Sequence, residues 1–105
     1  MFVDLPIKEL AAKLRSKEIS ATGLIREFYR NIQQSDAKMH TVITLVDESD
    51  ALDRAKKIES NIRSFSSLLA GIPFVMKDAY LTRGIRTTEA SKILDTFIPP
   101  YSATV

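Results

Sequence analysis

The sequence predicts an α/β chain in which helices pack on an incomplete mixed sheet. Three helical segments carry apolar residues at three- and four-residue spacing, and two short β-branched or aromatic runs, Thr41 to Val46 and Leu68 to Met76, read as strands. Their alternation along the chain implies helices covering a sheet. Two strands fall short of the three or more that a stable sheet usually needs, so the sheet is expected to be unfinished within these 105 residues.

The first helix is expected from about Pro6 to Lys17, because Ile7, Leu10, Ala11 and Leu14 share one face and Pro6 suits a first turn. Ser20 is the candidate N-cap of the second. Leu24, Ile25, Phe28 and Ile32 mark its apolar face, and its end is expected near Gln34, before a polar turn from Ser35 to His40. Gly23 occupies the position where a capping box would place Glu. The Thr41 to Val46 strand follows, then a third helix capped by Asp47 or Ser49, with Leu52, Ala55, Ile58 and Ile62 as its stripe. Arg63 to Ser67 is a polar connection. Leu68 to Met76 is the second strand, and Pro73, having no N–H to donate, places it at an edge or a strand end. Thr82 to Thr88 with Gly84 reads as a turn, Glu89 to Thr96 as a short helix, and Pro99-Pro100 as an extended stop.

Composition narrows the chemistry. A 45% hydrophobic and 27% charged chain with three Gly and four Pro is an ordinary globular composition. The net charge of +2 comes from interleaved signs, so the balance is weak support for nucleic-acid binding. The absence of cysteine excludes disulfides, thiolate metal sites and a cysteine nucleophile, and the single histidine, His40, excludes a multi-histidine metal centre built from this chain alone. Asp4 and Pro6 stand where a secretory signal needs a basic start and an apolar core. The Leu68 to Met76 run is about half the ~18 to 20 residues that span a bilayer.

Lys77 is the foremost chemical candidate. It follows an apolar strand, where partial desolvation would favour a neutral amine able to act as a general base. Spacing alone equally describes a lysine that ends a strand and snorkels to water. Asp78 is read chiefly as the opener of the turn after the strand, with hydrogen bonding to a neighbouring group as the alternative. Arg83 and Arg86 flank Gly84 in a pattern that suits a phosphate or carboxylate clamp but is also ordinary solvated surface. His40 has no partner in sequence. Pro99-Pro100-Tyr101 is read as a loop rather than a proline-recognition ligand. The hydrolytic chemistries left open by residue type are a Ser-Lys arrangement, a carboxylate pair, or a triad resting on His40.

The run Gly71-Ile72-Pro73-Phe74-Val75-Met76-Lys77-Asp78 resembles the first signature block of the amidase-signature family, G-I-P-apolar-x-x-K-D. Thr82-Arg83-Gly84-Ile85-Arg86-Thr87-Thr88, Ala90-Ser91-Lys92-Ile93-Leu94, Phe97, Pro99-Pro100-Tyr101 and Ala103-Thr104-Val105 resemble the family's transamidating branch, and Ile7 to Leu10 with Lys17 to Ser20 are similar to its opening helices. Two departures stand out: Ala79 where the family usually has Asn, and Glu89 where it often has a small residue or Cys.

The resemblance implies that residues 1–105 are the N-terminal segment of one amidase-signature domain, ending before the Gly/Ser-rich block that supplies a nucleophilic and a bridging serine. Lys77 falls on the position of the catalytic lysine. The implied activity is hydrolysis of glutamine to supply ammonia for ATP-dependent amidation of a misacylated tRNA, with subunits B and C of the amidotransferase as partners. ATP would be used by the full complex and tRNA reached through it, with no cofactor or metal bound by this chain, no membrane, and a cytoplasmic or organellar location. These residues alone are expected to be inactive. The rivals are another amidase-signature amidohydrolase acting on a different carboxamide, and a non-catalytic adaptor module derived from the family.

Overall fold

A computed structural model describes residues 2–105. Among these residues there are three α-helices, α1 at Ile7–Arg15, α2 at Ala21–Met39 and α3 at Glu48–Ser60, with single 3-10 turns at Phe2–Asp4, Ile62–Ser64 and Lys92–Leu94. Two compact units divide the chain. The first holds the described residues up to Met39 together with Asp47–Pro73, and the second holds His40–Val46 and Phe74–Val105.

The first unit is the helical one, and its helices begin and end for reasons visible in their residues. The carbonyl of Pro6 accepts the N–H groups of Glu9 and Leu10, which starts α1. At its other end Lys17 takes a φ of 62° and donates its N–H to the Leu14 carbonyl, while Glu18 donates to Lys13. This is a Schellman closure with lysine where glycine is usual. The Ser20 hydroxyl accepts the Gly23 N–H at 3.0 Å and so caps α2, as its position predicts. Glu59 of α3 reaches the same helix end, its carboxylate accepting from the Thr22 N–H at 3.3 Å and the Thr22 hydroxyl at 3.2 Å. Asp47 rather than Ser49 caps α3, its carboxylate accepting from the Ser49 N–H at 2.9 Å and hydroxyl at 2.7 Å.

Leu10, Leu14, Ile19, Ala21, Leu24 and Ala55 close the core of this unit, with Leu5, Ile25, Phe28 and Ile72 packed on it. Leu24, only 1% exposed, is its best-buried large side chain. Arg15 donates to the carbonyls of Phe65 and Ser67 at 2.8 and 3.0 Å, tying the connection after α3 to the end of α1. The chain then turns at Leu69–Ile72, where Gly71 has a φ of 84°. A Cβ at Gly71 would stand 3.4 to 3.5 Å from Ile62, Ala21 and Leu14, so the turn lies directly against the helical core.

The expected mixed sheet does not form among residues 2–105. Among the described residues no strand forms; Thr41 to Val46, bent at Ile43, and Ile72 to Lys77 make no ladder, and Leu68 to Gly71 is turn. Their β-branched and aromatic content records a need for burial, but a strand also needs a partner to pair its backbone groups. Without one, Phe74 and Val75 remain 76% and 72% exposed. Two smaller expectations shift as well. The segment from Ser35 to Lys38, expected as a turn, continues α2 to Met39, and His40, with a φ of 50°, follows in the left-handed region that His enters more readily than most residues. The helix expected from Glu89 to Thr96 is a single 3-10 turn capped by Ser91.

In the second unit the expected turn at Gly84 forms. Ile85 donates to the Thr82 carbonyl at 3.0 Å with Gly84 at a φ of 77°. Residues 81–87 and 97–103 run in opposite directions, joined by Ala103 N–H to Leu81, Gly84 N–H to Pro99 and Thr87 N–H to Phe97. These bonds are too sparse for a ladder, since the turn at Arg83-Gly84 interrupts one side and Pro99 and Pro100 have no N–H on the other. No described helix is long and apolar enough to cross a membrane.

Candidate active site

Lys77 ends the irregular run that follows the Gly71 turn in sequence, and its side chain is exposed. The desolvation expected from a strand inside a sheet is therefore absent among the described residues. Its ammonium makes no hydrogen bond or ion pair there, while its carbonyl accepts the Tyr80 N–H at 3.1 Å. The residue is held by its backbone and free at its tip.

Asp78 does more than open that turn. Its carboxylate accepts from the Thr88 N–H at 3.0 Å, from the Thr88 hydroxyl, and from the Ala90 N–H at 3.3 Å. Its backbone carbonyl accepts the Glu89 N–H at 2.8 Å. The Thr88 hydroxyl above all, with the N–H groups of Thr88 and Ala90 and the nearby Arg86, holds the Asp78 carboxyl below its ordinary range, against a smaller opposing effect of burial. Thr88 is 2% exposed, and its partnership with Asp78 is the contact that spacing could not announce. The two residues are ten apart, and no helical or strand period joins them.

The other candidates separate clearly. Arg86 is committed to structure: it is bonded to the carbonyl and carboxylate of Asp95 and donates to the Thr44 hydroxyl at 2.8 Å, pinning the 40–46 segment within its unit. That leaves no clamp of paired arginines at Gly84. Arg83 is exposed and contributes its backbone N–H to the Ser102 hydroxyl at 3.0 Å. His40 stands exposed just beyond the end of α2. Pro99 is fully buried and serves packing, whereas Pro100 and Tyr101 are exposed. Among the described residues no cluster of three or more His, Cys, Asp or Glu side chains is placed to share a metal ion.

A lysine at the end of the Gly-Ile-Pro run and a Lys-Asp pair locked to a Thr-Thr segment form a recognisable frame. The chain belongs to the Amidase family, whose model matches residues 23–105. Its sequence is similar to the A subunit of the glutamyl-tRNA(Gln) amidotransferase of Francisella tularensis subsp. novicida, with 46% identity over 100 residues covering 94% of this chain and 21% of that protein. The A subunit of the same enzyme from Francisella tularensis subsp. holarctica matches at 45% identity with the same coverage. The chain thus spans about a fifth of the length of these curated relatives, 21% in each case.

Proposed function

We propose that this chain supplies the first part of the glutamine-hydrolysing subunit of a glutamyl-tRNA(Gln) amidotransferase. The observation that carries the reading is the likeness to proteins of that name across 94% of the chain, on both sides of Lys77. The geometry adds a lysine whose backbone is fixed and whose ammonium is unengaged among the described residues.

In this reading Lys77, unprotonated, takes the proton that a nucleophilic serine gives up through a bridging serine as the nucleophile attacks the glutamine carboxamide. It returns that proton to the departing ammonia, leaving an acyl-enzyme that water hydrolyses to glutamate. Neither serine is assigned to a residue described above. The ammonia then serves an ATP-dependent amidation of Glu-tRNA(Gln) carried out with subunits B and C in the cytoplasm.

The test is ammonia release by the assembled enzyme containing this chain, with glutamine and with other carboxamides as substrates. Preferential turnover of glutamine, coupled to Gln-tRNA formation in the presence of ATP, supports the proposal. Turnover of another carboxamide in place of glutamine would transfer the chain to a different amidase activity.

A further inference from the structure

The segment Thr88 to Ala90 is bent in an expensive way. Glu89 and Ala90 take φ values of 49° and 55°, two successive residues in the left-handed region without the freedom of glycine. Each such residue is strained by its Cβ, and strain of this kind persists only where the surroundings over-determine it. Here Asp78 over-determines it. One residue accepts the N–H groups of Thr88, Glu89 and Ala90 and the Thr88 hydroxyl, and Ala90 N–H also reaches the Thr88 hydroxyl at 3.1 Å. A turn opener needs one such bond.

The residue immediately before this anchor is Lys77. We infer that Asp78 is a positioning residue, which ties Thr88–Ala90 to the residue next to Lys77 and so fixes the backbone from which the lysine amine is presented. This rests on the general-base reading of Lys77. In this role Asp78 acts through its neighbour. A long flexible side chain that leaves a wandering backbone loses effective concentration at the reacting atom, and a displacement of about 1 Å is enough to cost on the order of 10²-fold in rate.

The experiment measures kcat and KM for glutamine in the assembled enzyme carrying Lys77→Ala, Asp78→Asn, the double substitution, Thr88→Val and Thr88→Ser. The isosteric Asp78→Asn has a single acceptor oxygen for donors that approach both carboxylate oxygens. It is expected to lower kcat by about 10- to 100-fold with KM little changed. In the Lys77→Ala background the same change should cause no further loss, because a residue acting through Lys77 has nothing left to position. Thr88→Val should reproduce much of the loss, and Thr88→Ser, which keeps the hydroxyl, should recover most of it.

An Asp78→Asn enzyme with unaltered kcat, a loss confined to KM, or an equal loss with and without Lys77 would overturn the assignment. If Asp78→Asn does not fold, the Thr88 pair in the two Lys77 backgrounds decides by the same criterion. A Lys77→Ala enzyme with full kcat removes the general-base reading itself and this inference with it, a result distinct from failure of the coupling.

Discussion

Lys17 holds a conformation poorly suited to its side chain. It closes α1 at a φ of 62° and is exposed, so its Cβ is strained in a position that glycine would occupy freely. Lys17→Gly should stabilise the first unit by about 1 kcal/mol, the strain relieved less the added freedom of the unfolded chain. An unchanged or lowered urea midpoint would contradict this. Acid response is also set residue by residue. The Ser49 hydroxyl and N–H hold the Asp47 carboxyl below its ordinary value of 3.8, and Thr88 does the same for Asp78. Carboxyls depressed in the folded state contribute stability that is present above the unfolded value and lost as pH falls through the folded one. Unfolding midpoints should therefore drop below about pH 4, and Asp47→Asn should flatten part of that drop. A profile identical in the variant would show that the Asp47 cap contributes nothing.

At the scale of elements, the helices depend on their ends. Ser20→Ala removes the acceptor for the Gly23 N–H and should cost about 1 kcal/mol, with faster amide exchange in the first turn of α2. Ser20→Asp should keep most of the stability, and equal losses for both would exclude capping as the cause. These helices are legible in the sequence because their signals are local: Leu10 and Leu14 lie one turn apart, and Ser20 and Asp47 stand at the caps they make. The C-terminal end of α2 is not. Ser35 to Lys38 are polar, but polar residues on an exposed face do not end a helix unless the backbone is forced out, and that happens only at His40. The two expected strands fail for a deeper reason. An apolar run reports that a segment should be buried, whereas strand structure depends on a partner elsewhere, which the run does not specify. The same holds at the site. Lys77 is legible as a candidate from its motif, but the Asp78–Thr88 lock depends on how the chain returns after Gly84, and no period in the sequence encodes that return.

For the whole chain, the difference between the two units decides behaviour in solution. The helical unit builds a core on Leu10, Leu14 and Leu24, while residues 74–105 have one 3-10 turn and expose Phe74, Val75, Ile93 and Ile98. Amide exchange should be slow in α2 and α3 and fast in 40–46 and 74–105. The exposed apolar side chains should make the 105-residue chain, studied alone, associate with rising concentration. Uniform protection and a strictly monomeric sedimentation profile would contradict both expectations. The proposed function rests on Lys77 as general base, and its most direct test is kcat for glutamine hydrolysis by the assembled enzyme with Lys77→Ala, set beside Arg83→Ala. A general base at Lys77 predicts a loss of at least the ~10² to 10⁴-fold typical of an acid–base group for that substitution and a far smaller one for Arg83. Equal losses for the two substitutions, or full activity without Lys77, would contradict it.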